Sequence, residues 1–335
     1  MVKYNFSLKS LNTFGLNVSA AAYVRINDVA MFEKLPKNLP LPYFFLGGGS
    51  NILFTKNFPG TVLHIDIRGR GVASSDEHQS IVYSYAGENW HEFVRYSLQL
   101  NLGGLENLSL IPGNVGTAPV QNIGAYGVEI KDVLSGLEAW DLKTGKIECF
   151  LPEDCEFDYR TSIFKKEGKN RYIITKVYFR LDKNPSLKTS YGAIQDELKK
   201  LNIENPDIHD VSRAVIRIRM SKLPDPNVLG NCGSFFKNPL IEIAQAESLA
   251  AEFPDIPIYP TANEHLRKVS AGWLIEKCGW KGKVIGQVAM HEKQALVLTN
   301  LGNANGEELR QHALRVKKSV FEKFNIQLEE EVNIL

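Results

Sequence analysis

The sequence predicts an α+β fold in several blocks, because strand-like and helix-like periodicities succeed one another along 335 residues with no fixed repeat. Such a length exceeds one ordinary domain and implies two or three. A composition of 44% hydrophobic and 23% charged residues matches a globular chain able to bury sizeable cores. Positions 62–67 alternate apolar and polar residues, 81–85 do so loosely, and 172–181 is rich in β-branched residues, so each is expected to be a strand. Residues 89–101 turn helical, with Trp90, Phe93, Val94 and Leu98 on one side, Asn89 as cap and Glu92 placed to reach back to it. Short amphipathic helices are expected at 194–201 and 211–218. The run Lys222-Leu223-Pro224-Asp225-Pro226-Asn227 breaks the pattern and marks a boundary. Beyond it one helix ends before Pro254 and another spans 271–278 between a Ser270 cap and a Gly279 stop. The last helix carries Leu309, Ala313, Val316, Val320 and Phe324 on one face.

Charge narrows the partners. Lys plus Arg number 39 against 38 Asp plus Glu, a net charge of +1, so no whole-protein field exists to hold nucleic acid or a membrane surface. An anionic ligand therefore needs a local cluster of donors, which favours a pocket. Cys149, Cys155, Cys232 and Cys278 form no C-x-x-C pair and read as ordinary thiols of a reducing compartment. Residues 1–11 lack a signal-peptide core and no apolar run approaches a membrane span, so the cytoplasm is expected. His91-Glu92 and His291-Glu292 lack the second His of a metalloprotease helix, and no metal is expected.

Three glycine-bearing stretches carry the chemistry. In Leu46-Gly47-Gly48-Gly49-Ser50-Asn51-Ile52, after a strand-like aromatic run, the glycines free the backbone to bring N–H groups close to a phosphate. The run is neither a Walker loop nor a dinucleotide fingerprint, and alone a triple glycine is more often a plain turn. The stretch from Ile111, Pro112 and Gly113 through Gly116, Thr117, Gln121, Asn122, Gly124, Ala125 and Tyr126 to Gly127 suits a long, flat, polar ligand. Its Ile111, Val115, Val120, Ile123 and Tyr126 are too apolar for a solvated loop. In Gly230-Asn231-Cys232-Gly233-Ser234-Phe235-Phe236-Lys237-Asn238-Pro239, no nucleophile elbow surrounds Ser234, and taken alone Ser234 reads as a turn residue and Cys232 as a buried thiol. Tyr159-Arg160 offers a carboxylate clamp whose bland alternative is a surface ion pair. The terminal Glu329-Glu330-Glu331 would ordinarily fray, but Leu328, Val332, Ile334 and Leu335 are expected to tie it down.

Together these motifs, with Ala271-Gly272-Trp273-Leu274-Ile275 and the stretch 291–298, resemble the UDP-N-acetylenolpyruvoylglucosamine reductases over nearly the whole chain. The resemblance implies a two-subdomain FAD-binding unit of the vanillyl-alcohol-oxidase type, at 1–68 and 69–222, followed by an α+β substrate domain at 223–335. Segment 326–335 is expected to pack back toward the flavin unit. It implies FAD held by Gly47, Gly48, Gly49, Ser50, Asn51 and Ile52, by the stretch 111–127, and by Arg219. It further implies a catalytic set of Arg160, Ser234 and Glu331, and substrate contacts from Tyr159, Tyr191, Lys222, Asn238, Tyr259, Lys281 and Gln294. Tyr191, in Thr189-Ser190-Tyr191-Gly192, matches the subgroup with an extra Tyr over the substrate. Thr161 stands where relatives commonly carry an acidic residue, Glu330 where they carry Pro, and Asn333 where they carry Arg.

The implied reaction is a step of bacterial cell-wall precursor synthesis. NADPH, as hydride donor, and FAD reduce the enolpyruvyl ether of a UDP-sugar to UDP-N-acetylmuramate. Arg160, with Lys222 and Asn238, would stabilise the enolate, Ser234 would protonate the α-carbon, and Glu331 would serve the carboxylate side. A monomer with small-molecule partners only is expected. Two rivals remain at this stage: an FAD-dependent alcohol or sugar oxidase of the same fold, and a nucleotide-sugar binder without catalysis. Such oxidases often carry a flavin-linked His near the glycine loop, and none occurs in 43–58.

Overall fold

A computed structural model of the chain describes residues 1–261 and 263–335. The chain forms two compact units and passes between them repeatedly. The first comprises Met1–Phe6, Ala20–Gly49 and Pro59–Ser221, the second Ser7–Ser19, Ser50–Phe58 and Lys222–Leu335. Segments 7–19 and 50–58, read from sequence as part of the first flavin subdomain, thus pack with the C-terminal unit. The cause is pairing far along the chain. Ile52–Leu53 runs parallel to Asn333–Ile334, the Asn300 amide donates to the Phe14 carbonyl at 2.9 Å, and Leu8, Phe14, Leu16 and Phe54 are almost wholly buried.

The first unit holds two larger sheets and a two-stranded ribbon, Gly124–Ala125 with Val128–Glu129, at the end of the second glycine stretch. Lys3–Ser7, Ser19–Ile26, Phe58–Ile65 and Tyr43–Leu46 lie side by side in that order, the last two parallel. The second sheet is antiparallel, in the order Lys146–Phe150, Leu134–Asp141, Tyr172–Asp182, Gln79–Tyr85 and Arg70–Ser75. Helix α1, Trp90–Gln99, covers one face, with Trp90 and Phe93 set 5.9 and 4.9 Å from the Phe179 ring. Asn89 caps it by accepting the Glu92 N–H at 3.1 Å, but the Glu92 carboxylate reaches forward to Arg95, so the reciprocal half of the expected cap is missing. Helices α2, Gly192–Lys200, and α3, Ile208–Lys222, share the buried cluster Ile194, Leu198, Val211, Ala214, Val215 and Ile218. The sequence pattern placed α3 only at 211–218. It begins earlier because Asp207 and Asp210 accept each other's backbone N–H, an N-terminal lock that apolar spacing does not reveal.

The second unit carries an antiparallel sheet ordered Gly230–Ser234, Val297–Asn300, Val288–Met290, Val284–Ile285, and a smaller one ordered Leu240–Glu242, Leu266–Val269, Ile258–Pro260. Its helices are α4, Ile243–Glu252, α5, Ala271–Lys277, and α6, Gly306–Phe324. Ser270 caps α5 as expected, accepting the Trp273 N–H at 3.3 Å. Helix α6 starts on a full capping box between Asn305 and Glu308 and ends on Asn325 in the left-handed region. Its expected apolar stripe is buried. The terminal segment is held by its own unit: residues 333–334 pair with 52–53, and Leu328 and Val332 are buried.

On the buried side of α6, His312 is 2% exposed and meets the Trp280 ring edge-on at 5.1 Å. Neither ring nitrogen has a hydrogen-bond partner. Burial, with Arg315 and Lys283 nearby, pushes its pKa from 6.5 down to about 4. The folded state therefore keeps it neutral where the unfolded chain takes up a proton. Its contribution is intact above pH 6.5 and is lost as pH falls toward 4. Relative to His312→Leu, the wild-type protein should lose about 2–3 kcal/mol between pH 7 and pH 4.5 in denaturant titrations. Parallel pH profiles for the two proteins would contradict this.

Candidate active site

In the first unit the two glycine stretches meet. A Cβ added at Gly47 would lie 2.5 Å from Thr117 Cγ2, one at Gly48 2.9 Å from the Gly113 Cα, and one at Gly116 2.4 Å from the Ala86 Cβ. Only glycine permits these approaches. Gly49 adopts a left-handed φ of +66°. The 111–127 stretch is anchored through backbone bonds from Trp90 N to Gly113 O, Val115 N to Glu88 O and Gly116 N to Ala86 O, of 2.9–3.0 Å. Apart from Pro112, Thr117 and Gly127, its residues are buried or half-buried, as its apolar side chains demand. The two glycine stretches and the start of α1 thus converge through small residues and backbone.

Arg219, from α3, closes that loop at both ends. Its Nε donates to the Leu110 carbonyl at 3.2 Å, and its guanidinium hydrogen-bonds the Tyr126 phenol. No carboxylate neutralises it among the described residues. Burial presses its pKa down, Tyr126 counters, and Arg160 adds to the depression. Leu110 itself sits at φ +59° and gives its N–H to His91 Nδ1 at 2.9 Å. Burial lowers the His91 pKa, consistent with a neutral ring that accepts at Nδ1. A half-buried cation near a second arginine is a donor set that suits an anion.

Arg160 occupies the third position of a tight turn in which Asp158 and Thr161 exchange backbone bonds of 3.2 Å. It is left-handed, at φ +55°, a conformation that costs a non-glycine residue about 1–2 kcal/mol. Strain of this kind is retained where a side chain must be aimed. Its guanidinium donates to the Gly124 carbonyl at 2.8 Å and lies over the Tyr159 ring at 5.6 Å. Asn122 supports the turn from below. Its amide donates to Glu129 and to the Asp158 carbonyl, and its Oδ1 accepts the Lys131 N–H. That side chain, expected to face the cofactor, is therefore committed within the protein, and only its backbone remains for a ligand.

In the second unit, the register of Gly230–Ser234 slips between Asn231 and Ser234, and Gly233 takes φ +73°. The bulge falls at Cys232–Gly233, so Ser234 pairs with Val297 in a shifted register while Phe235 and Phe236 anchor the strand in the core. The Glu331 N–H donates to the Phe235 carbonyl at 2.8 Å, which fixes Glu331 beside the serine. Asn51 holds the same tail: its amide donates to the Glu331 carbonyl at 3.2 Å, and its own carbonyl accepts from Asn333. Glu330 is ion-paired to Lys317 at 2.8 Å. The tail is thus tied by side chains of its own choosing despite the unusual residues at 330 and 333. Cys232, between them, is buried, and burial with Glu331 nearby pushes its thiol far up, so it is no nucleophile.

The remaining expected contacts are distributed. Tyr191 is exposed and meets Tyr126 edge-to-face at 5.3 Å in the first unit. In the second, Lys222 is exposed at the end of α3, and Asn238 gives its Oδ1 to the Ala271 N–H at 2.9 Å. Gln294 lies against Gly272, Tyr259 is exposed with Lys268 at 5.9 Å from its ring, and Lys281 pairs with Glu276 at 3.0 Å. Ser50 and Ile52 lie in the second unit with Asn51.

Comparison with known proteins settles the family. The UDP-N-acetylenolpyruvoylglucosamine reductase C-terminal domain matches residues 225–335, and an FAD binding domain matches 22–149. A UDP-N-acetylenolpyruvoylglucosamine reductase of Flavobacterium johnsoniae is 48% identical over 100% of this chain and 99% of its own. The chain belongs to the UDP-N-acetylenolpyruvoylglucosamine reductase family. A second reductase of this name, from Chromobacterium violaceum, is 46% identical over 98% of this chain and 97% of its own. The crystal structure of the Thermus caldophilus reductase aligns with a TM-score of 0.67 at 23% identity, covering 100% of this chain and 98% of that one, and shares the fold. The α+β class and the FAD-binding unit expected from sequence hold for this family member.

Two residues that brace these loops escaped the sequence reading. Asn107 is fully buried and donates from one amide to the carbonyls of Tyr126 and Lys188, while its Oδ1 accepts nothing, an omission that costs about 1–3 kcal/mol. His91 was set aside as scattered, yet it holds Leu110. The signal for Asn107 was a polar Glu-Asn pair inside the apolar run 105–108. Because Arg160 is left-handed, Arg160→Gly should be more stable than Arg160→Ala by about 1 kcal/mol in chemical denaturation, although both lose the guanidinium. Equal stabilities would show that the turn carries no such strain.

Proposed function

We propose that this protein catalyses the NADPH-dependent reduction of UDP-N-acetylglucosamine enolpyruvate to UDP-N-acetylmuramate, with FAD as cofactor, in the bacterial cytoplasm. The observation that carries this is 48% identity along the entire chain to a reductase of that name. FAD, when bound, supplies a ring that takes a hydride from NADPH and yields it to the substrate double bond. The residues present fit such a group: the two glycine stretches converge, Gly49 is left-handed, and Arg219 is a half-buried cation with no neutralising carboxylate among the described residues. Gly47, Gly48, Gly49, Gly113, Gly116 and Arg219 would hold it. Among the described residues no helix is long and apolar enough to cross a membrane.

The substrate gains a hydride at its methylene carbon and a proton at its α-carbon. Negative charge reaches the carboxylate in between, and Arg160 stabilises it with a fixed guanidinium, assisted by Lys222 and Asn238. The Asn238 oxygen is committed to Ala271, so its amide protons are what it offers a ligand. Ser234 passes its proton to the α-carbon. A hydroxyl is a weak acid, but the carbanion is a far stronger base, so the transfer runs downhill from a serine held by the bulge. Glu331 orients the carboxylate side. Lys281 exchanges an exposed ion pair worth no more than about 1 kcal/mol for the UDP diphosphate. Tyr159, Tyr191, Tyr259 and Gln294 complete the substrate contacts.

The direct test is to follow NADPH oxidation by the yellow, flavin-loaded protein with and without the enolpyruvyl UDP-sugar. Oxidation that depends on that compound is expected, and a colourless protein or indifference to the compound ends the proposal. Ser234→Ala should keep flavin reduction by NADPH while slowing flavin reoxidation by substrate about 10²–10⁴-fold in stopped-flow absorbance. Reoxidation at the wild-type rate would remove Ser234 from the mechanism.

A further inference from the structure

Between Asp182, where a strand ends, and Gly192, where α2 begins, the chain has no regular structure. Across 184–190 one hydrogen bond to protein is made among the described residues, from Asn107 Nδ2 to the Lys188 carbonyl at 2.8 Å. The same nitrogen donates to the Tyr126 carbonyl at 2.9 Å. Asn107 is 0% exposed, and its Oδ1 accepts no bond, so the amide serves only as a two-proton bridge. Lys188 lies three residues before Tyr191, and Tyr126 ends the loop stapled by Arg219. The rings of Tyr126 and Tyr191 meet edge-to-face at 5.3 Å and 83°. The Tyr191 segment is therefore joined to the glycine loop twice, once through backbone and once through rings.

We propose that Asn107 is a positioning residue that couples the glycine loop to the Tyr191 segment, so that order imposed on the loop by FAD fixes Tyr191 for the UDP-sugar. This rests on the proposed function for what the loop and Tyr191 contact. The chemistry needs asparagine. Aspartate has the shape but no donors for two carbonyls, serine is too short to span them, and glutamine is longer by one methylene in a site with no spare room. Leu187, partly buried against the neighbouring cores, adds packing but no direction. A hydrogen bond to the backbone, unlike apolar packing, fixes where the next three residues start.

Two measurements test this. In the wild-type protein, amide hydrogen exchange is followed by mass spectrometry with and without FAD. Loading should slow peptides from 111–127 and, with them, 184–191 by at least fivefold. Slowing of 111–127 alone overturns the coupling and leaves the proposed function standing, whereas no slowing of either overturns both. In flavin-loaded variants, Asn107→Asp should raise KM for the UDP-sugar about tenfold with kcat within twofold, and should add less than twofold when Tyr191 is already alanine. Equal effects in both backgrounds would mean that Asn107 acts without Tyr191 and would overturn the proposal. If Asn107→Asp fails to fold, the exchange experiment on the unaltered protein still decides.

Discussion

A half-buried guanidinium with no neutralising carboxylate among the described residues is the constraint around which the glycine loop of the first unit is arranged. Arg219 hydrogen-bonds Leu110 at the start of the glycine loop and Tyr126 near its end, so one side chain sets the span of the loop. Holding an unpaired cation away from water is costly, and the protein tolerates it only where hydrogen bonds and a ligand's charge offset the loss. The left-handed Leu110 and Arg160 follow from the same demand. Leu110 gives its N–H to His91 Nδ1, and the Arg160 guanidinium reaches the Gly124 carbonyl.

The second unit solves a different problem, which is to present one hydroxyl and one carboxyl from segments nearly a hundred residues apart. A bulge just before Ser234 shifts the register in which it pairs, two buried phenylalanines lock the chain directly after it, and the C-terminal tail hydrogen-bonds directly to that segment. The tail would fray if only its acidic residues counted. Its hold comes from Leu328, Val332, the pairing of 333–334 with 52–53, and the Glu330–Lys317 ion pair. Glu330 and Asn333 thus take part in the ties that hold the tail in this chain.

What the sequence made legible is what local chemistry determines. Helix α6 announced itself through its apolar stripe, and the apolar side chains of 111–127 forecast a packed loop. The glycines were recognisable as backbone-permissive positions, yet that Gly48 lies against Gly113 follows only from the assembled sheets. Long-range pairing was equally hidden: nothing near residue 52 tells that its partner is residue 333, so the packing of 7–19 and 50–58 with the C-terminal unit was not legible. The side chain of Asn122 looked like a ligand contact because amides beside glycines often are, and its three bonds to Glu129, Asp158 and Lys131 became visible only in three dimensions. Motif combinations identified the reductase family, but which members of each motif face a ligand and which brace the others was a matter of tertiary geometry.

The central claim is that the half-buried charge of Arg219 is matched by a dinucleotide anion. Titrating FAD into flavin-free wild-type protein and Arg219→Met, each checked for folding by thermal melting, measures this directly. A loss of affinity of about 100-fold is expected when a half-buried, hydrogen-bonded charge loses its counterpart. An Arg219→Met protein that folds and binds FAD within twofold of wild type would contradict the account.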